Sequence, residues 1–212
     1  MKAKISILSF FVFSAVTAQA AITVRVTNVV DFDSTTSAIV DNTGTVLTNG
    51  SGFVAVGSFD GLDDSQIQAA FAGGNLDSAF TELAATTINL GDGLWDFAAN
   101  AAGDTSAFTA KSMFTVVANG NTLASSDQFF VYRHSSVNGT GNFNEAPSNN
   151  DDAVTAIGLR GTGSIVIGGH DNFQFDFGAG NQSAFNLVAV PEPSSTALLG
   201  LGGLAFVLRR RR

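Results

Sequence analysis

Ile22-Thr23-Val24-Arg25-Val26-Thr27 places an apolar side chain at every second position. That period puts one face of an extended chain on a core and the other in water. The pattern returns at Phe173-Gln174-Phe175-Asp176-Phe177, at Ile157 and Leu159, and at Phe185 and Leu187. Ile165 to Ile167 follows a Gly161-Thr162-Gly163 turn. Phe53–Phe59, Met113–Ala118 and Phe129–Tyr132 are nearly continuous apolar runs rich in β-branched and aromatic residues. Turn residues punctuate them at Asp41-Asn42-Thr43-Gly44, Asn49-Gly50, Gly91-Asp92-Gly93, Asn119-Gly120 and Asn138-Gly139. Asn119-Gly120 predicts a two-residue hairpin between Met113–Ala118 and Thr122–Ala124. The expected fold is mainly β, an antiparallel β-sandwich of jelly-roll type.

One region departs from this rhythm. Asp64 is placed to cap a helix on which Ile67, Ala70 and Phe71 share a face, and Gly73-Gly74 stops it. Leu76, Phe80 and Leu83 line up on a second short helical stretch. This small helical insertion is expected to cover one open end or edge of the sheets. Ser135–Asp152 is polar and reads as an exposed loop.

The two ends of the chain have their own chemistry. Lys2 and Lys4 precede a mostly apolar Ile5–Val16, and Ala18-Gln19-Ala20 supplies small residues. That order is a secretory signal over residues 1–20, a signal helix read by signal peptidase at Ala18 and Ala20 and cut before Ala21. At the other end Val190-Pro191-Glu192-Pro193 is followed by an apolar Thr196–Leu208 and then Arg209, Arg210, Arg211 and Arg212. The arginine cluster predicts a short C-terminal transmembrane helix with its end inside. Thirteen residues at helical rise span about 20 Å, short of the roughly 30 Å hydrocarbon core. A transient membrane anchor is therefore the expectation.

Those three ordered features of the tail resemble the PEP-CTERM sorting signal. The resemblance covers residues 190–212 only. It implies that exosortase, a membrane-embedded protease or transpeptidase, handles the tail. It also implies that Val190, Pro191, Glu192 and Pro193 form the recognition motif, with Arg209 to Arg212 as the basic topology cluster. The two prolines favour an extended segment, as a protease substrate requires.

Between the signals, residues 21–189 are long enough for one domain with a real core. The chain has 18 acids and 10 bases, and six of the bases lie in the signals. Only Arg25, Lys111, Arg133 and Arg160 remain against 17 acids, a net charge near −13. A surface of that sign repels phosphate backbones, which excludes nucleic acid as a partner. No cysteine is present. Disulfides, thiolate nucleophiles and cysteine-ligated metals are thereby excluded.

Catalytic patterns are sparse. Asn49 and Thr162 stand where G-x-S-x-G requires glycine before Ser51 and Ser164. His134 and His170 have no partnered motif. Glu82 falls in the helical region, Glu145 in the polar loop and Glu192 in the tail. Asp60–Asp64 and Ser148–Asp152 cluster oxygen ligands that would suit structural Ca2+, yet neither follows a calcium-loop pattern. No enzyme activity and no other cofactor are expected. The leading expectation is an exported structural protein of the cell surface or extracellular matrix. Its partners would be the export machinery, signal peptidase and exosortase, and the membrane through the tail. The alternative is a module binding exopolysaccharide or another glycan on an aromatic platform, with Trp95, Tyr132 and exposed Phe as candidates.

Overall fold

The structure, a computed structural model, describes residues 21–29, 38–102, 105–135, 141–143, 153–155, 163–176 and 181–191. Its strands are β1 (Ala21–Thr27), β2 (Ile39–Val40), β3 (Phe53–Ser58), β4 (Thr81–Thr86), β5 (Asp96–Ala102) and β6 (Phe114–Ala118). They continue with β7 (Gln128–Arg133), β8 (Ala153–Val154), β9 (Ser164–Ile167), β10 (Gly169–Asp176), β11 (Asn181–Asn186) and β12 (Val188–Ala189). Helices α1 (Asp64–Ala72) and α2 (Leu76–Ala79) lie between β3 and β4, and a 3-10 turn covers Leu123–Ser125.

The main sheet has the order β12-β7-β6-β3-β4, and β9 also pairs with β7. Its pairs are all antiparallel. The strands β12 and β9 share the free edge of β7, the first against Gln128 and Phe129, the second against Val131 to Arg133. Two three-stranded sheets complete the β structure, β5-β1-β8 and β10-β11-β2. Each contains one parallel pair, β1 with β8 and β11 with β2. A mainly β chain with minor helix is what the sequence predicts. The expected antiparallel jelly roll gives way to three sheets, with parallel pairing outside the main one.

The central strands β3, β6 and β7 of the main sheet are buried on both faces, which explains their continuous apolar runs. Val54, Val56, Val117, Phe130 and Tyr132 point into one cluster with Ile22, Val24 and Val26 of β1, Ile39 of β2 and Phe185 of β11. The alternate residues Ala55, Phe114, Val116, Ala118, Phe129 and Val131 point the other way. There they meet Ile67 and Phe71 of α1, Leu76 of α2 and Leu123. The helices therefore pack on one face of the main sheet, over β3, β6 and β7, rather than at an end or edge.

The N-terminus of α1 is set by Asp63, not Asp64. The Gln66 N–H donates to Asp63 Oδ1 at 2.9 Å, and the Asp63 N–H donates to the Gln66 side chain at 2.9 Å. This reciprocal capping box satisfies two otherwise orphan donors. Asp64 instead pairs with Arg133 at 2.7 Å, and that guanidinium lies over the Phe114 ring. The second helix ends at Ala79. Phe80 is extended, and Leu83 lies in β4, where pairing with β3 overrides the helical spacing. The Asn119-Gly120 signal opens a longer connection than predicted: β6 pairs with β7, and the chain between them includes the 3-10 turn.

Two further expectations need correction. Part of the polar loop is anchored: Phe143 is fully buried against Phe108, and Met113 N–H donates to Gly141 O at 2.8 Å. Among the described residues no helix is long and apolar enough to cross a membrane. The expected C-terminal transmembrane helix is overturned on that finding, and with it the transient membrane anchor. Its thirteen residues fall short of the hydrocarbon core, and Thr196–Leu208 lies outside the described residues. The signal helix at residues 1–20 and the strand expected at Ile157–Leu159 also lie outside them.

Candidate functional site

The feature that joins fold and tail is the exit of the chain from the main sheet. Leu187 is buried and donates its N–H to Val40 O at 2.9 Å. Val188 and Ala189 then pair with Phe129 and Gln128 on the edge of β7. Val190 continues the ladder, its N–H donating to Asp127 O at 2.7 Å. Its side chain packs against the cluster beneath the helices. There it lines a groove of about 260 Å³ with Phe71, Leu76, Leu123, Asp127 and Phe129. Pro191 is exposed. The ladder stops there because β7 begins at Gln128 and the chain before it turns into Leu123–Ser125.

Of the motif residues read from sequence, Val190 is thus docked on the domain and Pro191 is exposed. Glu192, Pro193 and Arg209 to Arg212 lie outside the described residues, as do Ala18 and Ala20. Sequence reasoning missed the docking. Its one signal is the apolar run Leu187–Val190, which stops at Pro191.

The other candidates are dispersed. His134 is buried, its Nε2 sharing a 2.8 Å hydrogen bond with the Thr115 hydroxyl and its ring meeting Tyr132 edge-on. Burial pushes its pKa down to about 3, so the imidazole is neutral. His170 sits in β10 with its ring 5.0 Å from that of Phe185. Neither histidine neighbours the other in the sheets: His134 follows the main sheet and His170 belongs to a small one. Trp95 and Tyr132, candidates for a sugar platform, are both fully buried. The Tyr132 hydroxyl accepts the Gly163 N–H at 2.9 Å. Their aromatic faces are spent on the core, so neither of these two residues supplies a sugar platform.

The acids of the first calcium candidate each have another partner. Asp60 pairs with Lys111, Asp63 caps α1 and Asp64 pairs with Arg133. The Asp63 carboxyl is held below its ordinary range by the Ser65 hydroxyl and the Gln66 N–H. Asp60, Asp63, Lys111 and Arg133 rim an open groove of about 410 Å³ beside Ser58 and Ser112. Among the described residues no group of three or more His, Asp or Glu is placed to hold a metal ion. The second calcium candidate, Ser148–Asp152, lies outside the described residues.

Comparison with known proteins adds one match. The PEP-CTERM protein-sorting motif matches residues 189–212. No curated protein and no solved structure matches the chain. The match begins at Ala189, the last residue of β12, so the sorting segment starts inside the folded domain. The chain carries the mark of an exported, sorted protein, and the motif implies an exosortase-type system as its handler.

Proposed function

We propose that this chain is an exported structural component of the cell surface or extracellular matrix, without catalysis, delivered through its C-terminal sorting tail. The observation that carries the reading is the match at residues 189–212, which begins in β12 and takes in an exposed Pro191. The domain holds itself together with buried apolar layers on both faces of one sheet, and its large aromatics are used there rather than at a surface. An acidic surface with few bases suits a protein that stays dispersed outside the cell until it meets a cation or polymer. The signal peptide, the cut before Ala21 and the single domain over 21–189 belong to the same reading.

The test is fractionation of the native host. The protein is expected in the surface or extracellular polymer fraction, with both termini trimmed, and loss of its gene is expected to weaken matrix cohesion. Deletion of residues 191–212 is expected to leave it in an earlier compartment of the envelope. Recovery of the untrimmed 212-residue chain from cytosol would overturn the proposal.

A further inference from the structure

We propose that β12 is a ruler for processing: the fold withholds the chain through Val190 and offers the sorting enzyme only the segment from Pro191 onward. This goes beyond the structural role proposed above and rests on the sorting reading of the tail. A protease binds its substrate as an extended strand, with main-chain groups paired to the enzyme. Residues already paired in a sheet are not available for that pairing unless the strand first opens.

The geometry sets where the withheld chain ends. Val190 is held by the N–H it donates to Asp127 O at 2.7 Å and by its contact with the apolar cluster under α1 and α2. Just upstream, Leu187 is fully buried in the other cluster and tied to Val40. Opening β12 thus disturbs both cores. Pro191 is exposed, and β7 begins at Gln128 with the chain before it turned into Leu123–Ser125, so the ladder has no strand to pair with beyond Asp127. The motif's first proline is thus the first residue past the paired chain. Cleavage breaks one peptide bond and passes the acyl group to water or an amine. Done beyond Val190, it leaves β12 as the last strand of the mature domain, still covering part of the β7 edge. An open β7 edge would present unpaired main-chain groups to other chains.

The experiment uses the full chain, made in a host with a working exosortase system, and reads the mature C-terminus by mass spectrometry. Two variants bracket it. The pair 127/190 is hydrogen-bonded, so 128/189 is a non-hydrogen-bonded pair, where side chains approach closely. Q128C/A189C therefore staples β12 to β7 in a chain that has no other cysteine. Its reduced form controls for the substitutions. V188P lies outside the matched motif and removes an N–H from the ladder, loosening the strand while leaving 189–212 intact.

Wild type is expected to end at or beyond Val190. The oxidised staple is expected to be processed to the same end, at a rate within about twofold of its reduced form, because the strand need not open. V188P is expected to melt close to wild type yet yield additional ends upstream of Val190. A wild-type end before Val190 overturns the ruler. So does a tenfold or larger loss of processing in the staple that reductant restores, and so does a V188P product identical to wild type. A wild-type tail that is never cut, in a host that cuts another sorted protein, sinks the sorting reading itself and this inference with it.

Discussion

His134 Nε2 lies 2.8 Å from the Thr115 hydroxyl, and both side chains are closed off from water within the fold. A neutral imidazole suits that site and an imidazolium does not: burial pushes the pKa from 6.5 down to about 3. The unfolded chain takes up this proton as pH falls through 6.5, while the fold takes it up only near 3. The full contribution is present above 6.5. Between those values stability falls with pH, by about 1.4 kcal/mol per unit once the unfolded chain is protonated. H134Q keeps a hydrogen-bonding partner for Thr115 and removes the titration. Urea midpoints measured from about pH 7 to about pH 4 are expected to drop more steeply for wild type than for H134Q. Parallel profiles would show that His134 does not titrate as described. The lowered carboxyls of Asp41 and Asp63 begin to withdraw stability only as pH nears 3.8, and they do so equally in wild type and H134Q, so they cancel in the comparison.

The adjacent acids Asp63 and Asp64 differ in weight. Asp63 closes a capping box on α1, whose Ile67 and Phe71 hold one whole core layer. D63A is expected to cost about 1 kcal/mol. Asp64 pairs with Arg133 across partly exposed side chains. D64A is expected to cost less than about 1 kcal/mol, and less still in salt. Thermal or chemical unfolding of the two variants orders them, and a larger loss for D64A would reverse the assignment of the cap.

How much of this was legible follows from where each residue gets its constraint. The strands β3, β6 and β7 announce themselves because both their faces are buried, so apolar residues run on without a break. The strands β4 (Thr81–Thr86) and β5 (Asp96–Ala102) do not, since their alanines carry little β preference and their pairing to β3 and β1 supplies the order. The cap was off by one residue because two aspartates stand together and only tertiary contact with Arg133 separates their roles. The sorting motif was readable as an ordered pattern of chemistry along the tail. The docking of Val188–Val190 was not, because a two-residue strand exists only where another strand leaves an edge open.

Trp95 offers a direct readout of the corrected aromatic assignment. It is the single tryptophan and is fully buried. Its native emission is expected to be blue-shifted, with acrylamide quenching several-fold weaker than after unfolding. Oligosaccharides, neutral or acidic, are expected to leave that emission unchanged. A spectral shift on adding sugar, with the fold intact, would return Trp95 to the surface and reopen the aromatic-platform reading.

Asn28 gives the sharpest stability test, because its carboxamide does the work of a missing strand. Its Oδ1 accepts the Trp95 N–H at 2.8 Å, and its Nδ2 donates to Gly93 O at 2.9 Å. These bonds, fully buried, tie the end of β1 to the turn that leads into β5. The turn has no slack: Gly93 has φ +70°, and a Cβ there would stand 2.5 Å from the Ile39 backbone. Asn28→Ala leaves the Trp95 N–H without its acceptor and is expected to cost about 2–4 kcal/mol. Asn28→Asp keeps an acceptor for Trp95 but loses the donor and buries a carboxyl facing the Gly93 carbonyl. Protonation restores a donor, so N28D is expected to lose more stability at neutral pH than in mild acid, once the H134Q background removes the histidine slope. Urea unfolding of both variants in that background decides it. Equal losses for N28D at the two pH values would mean that Asn28 acts as packing and not as the bridge between β1 and the turn.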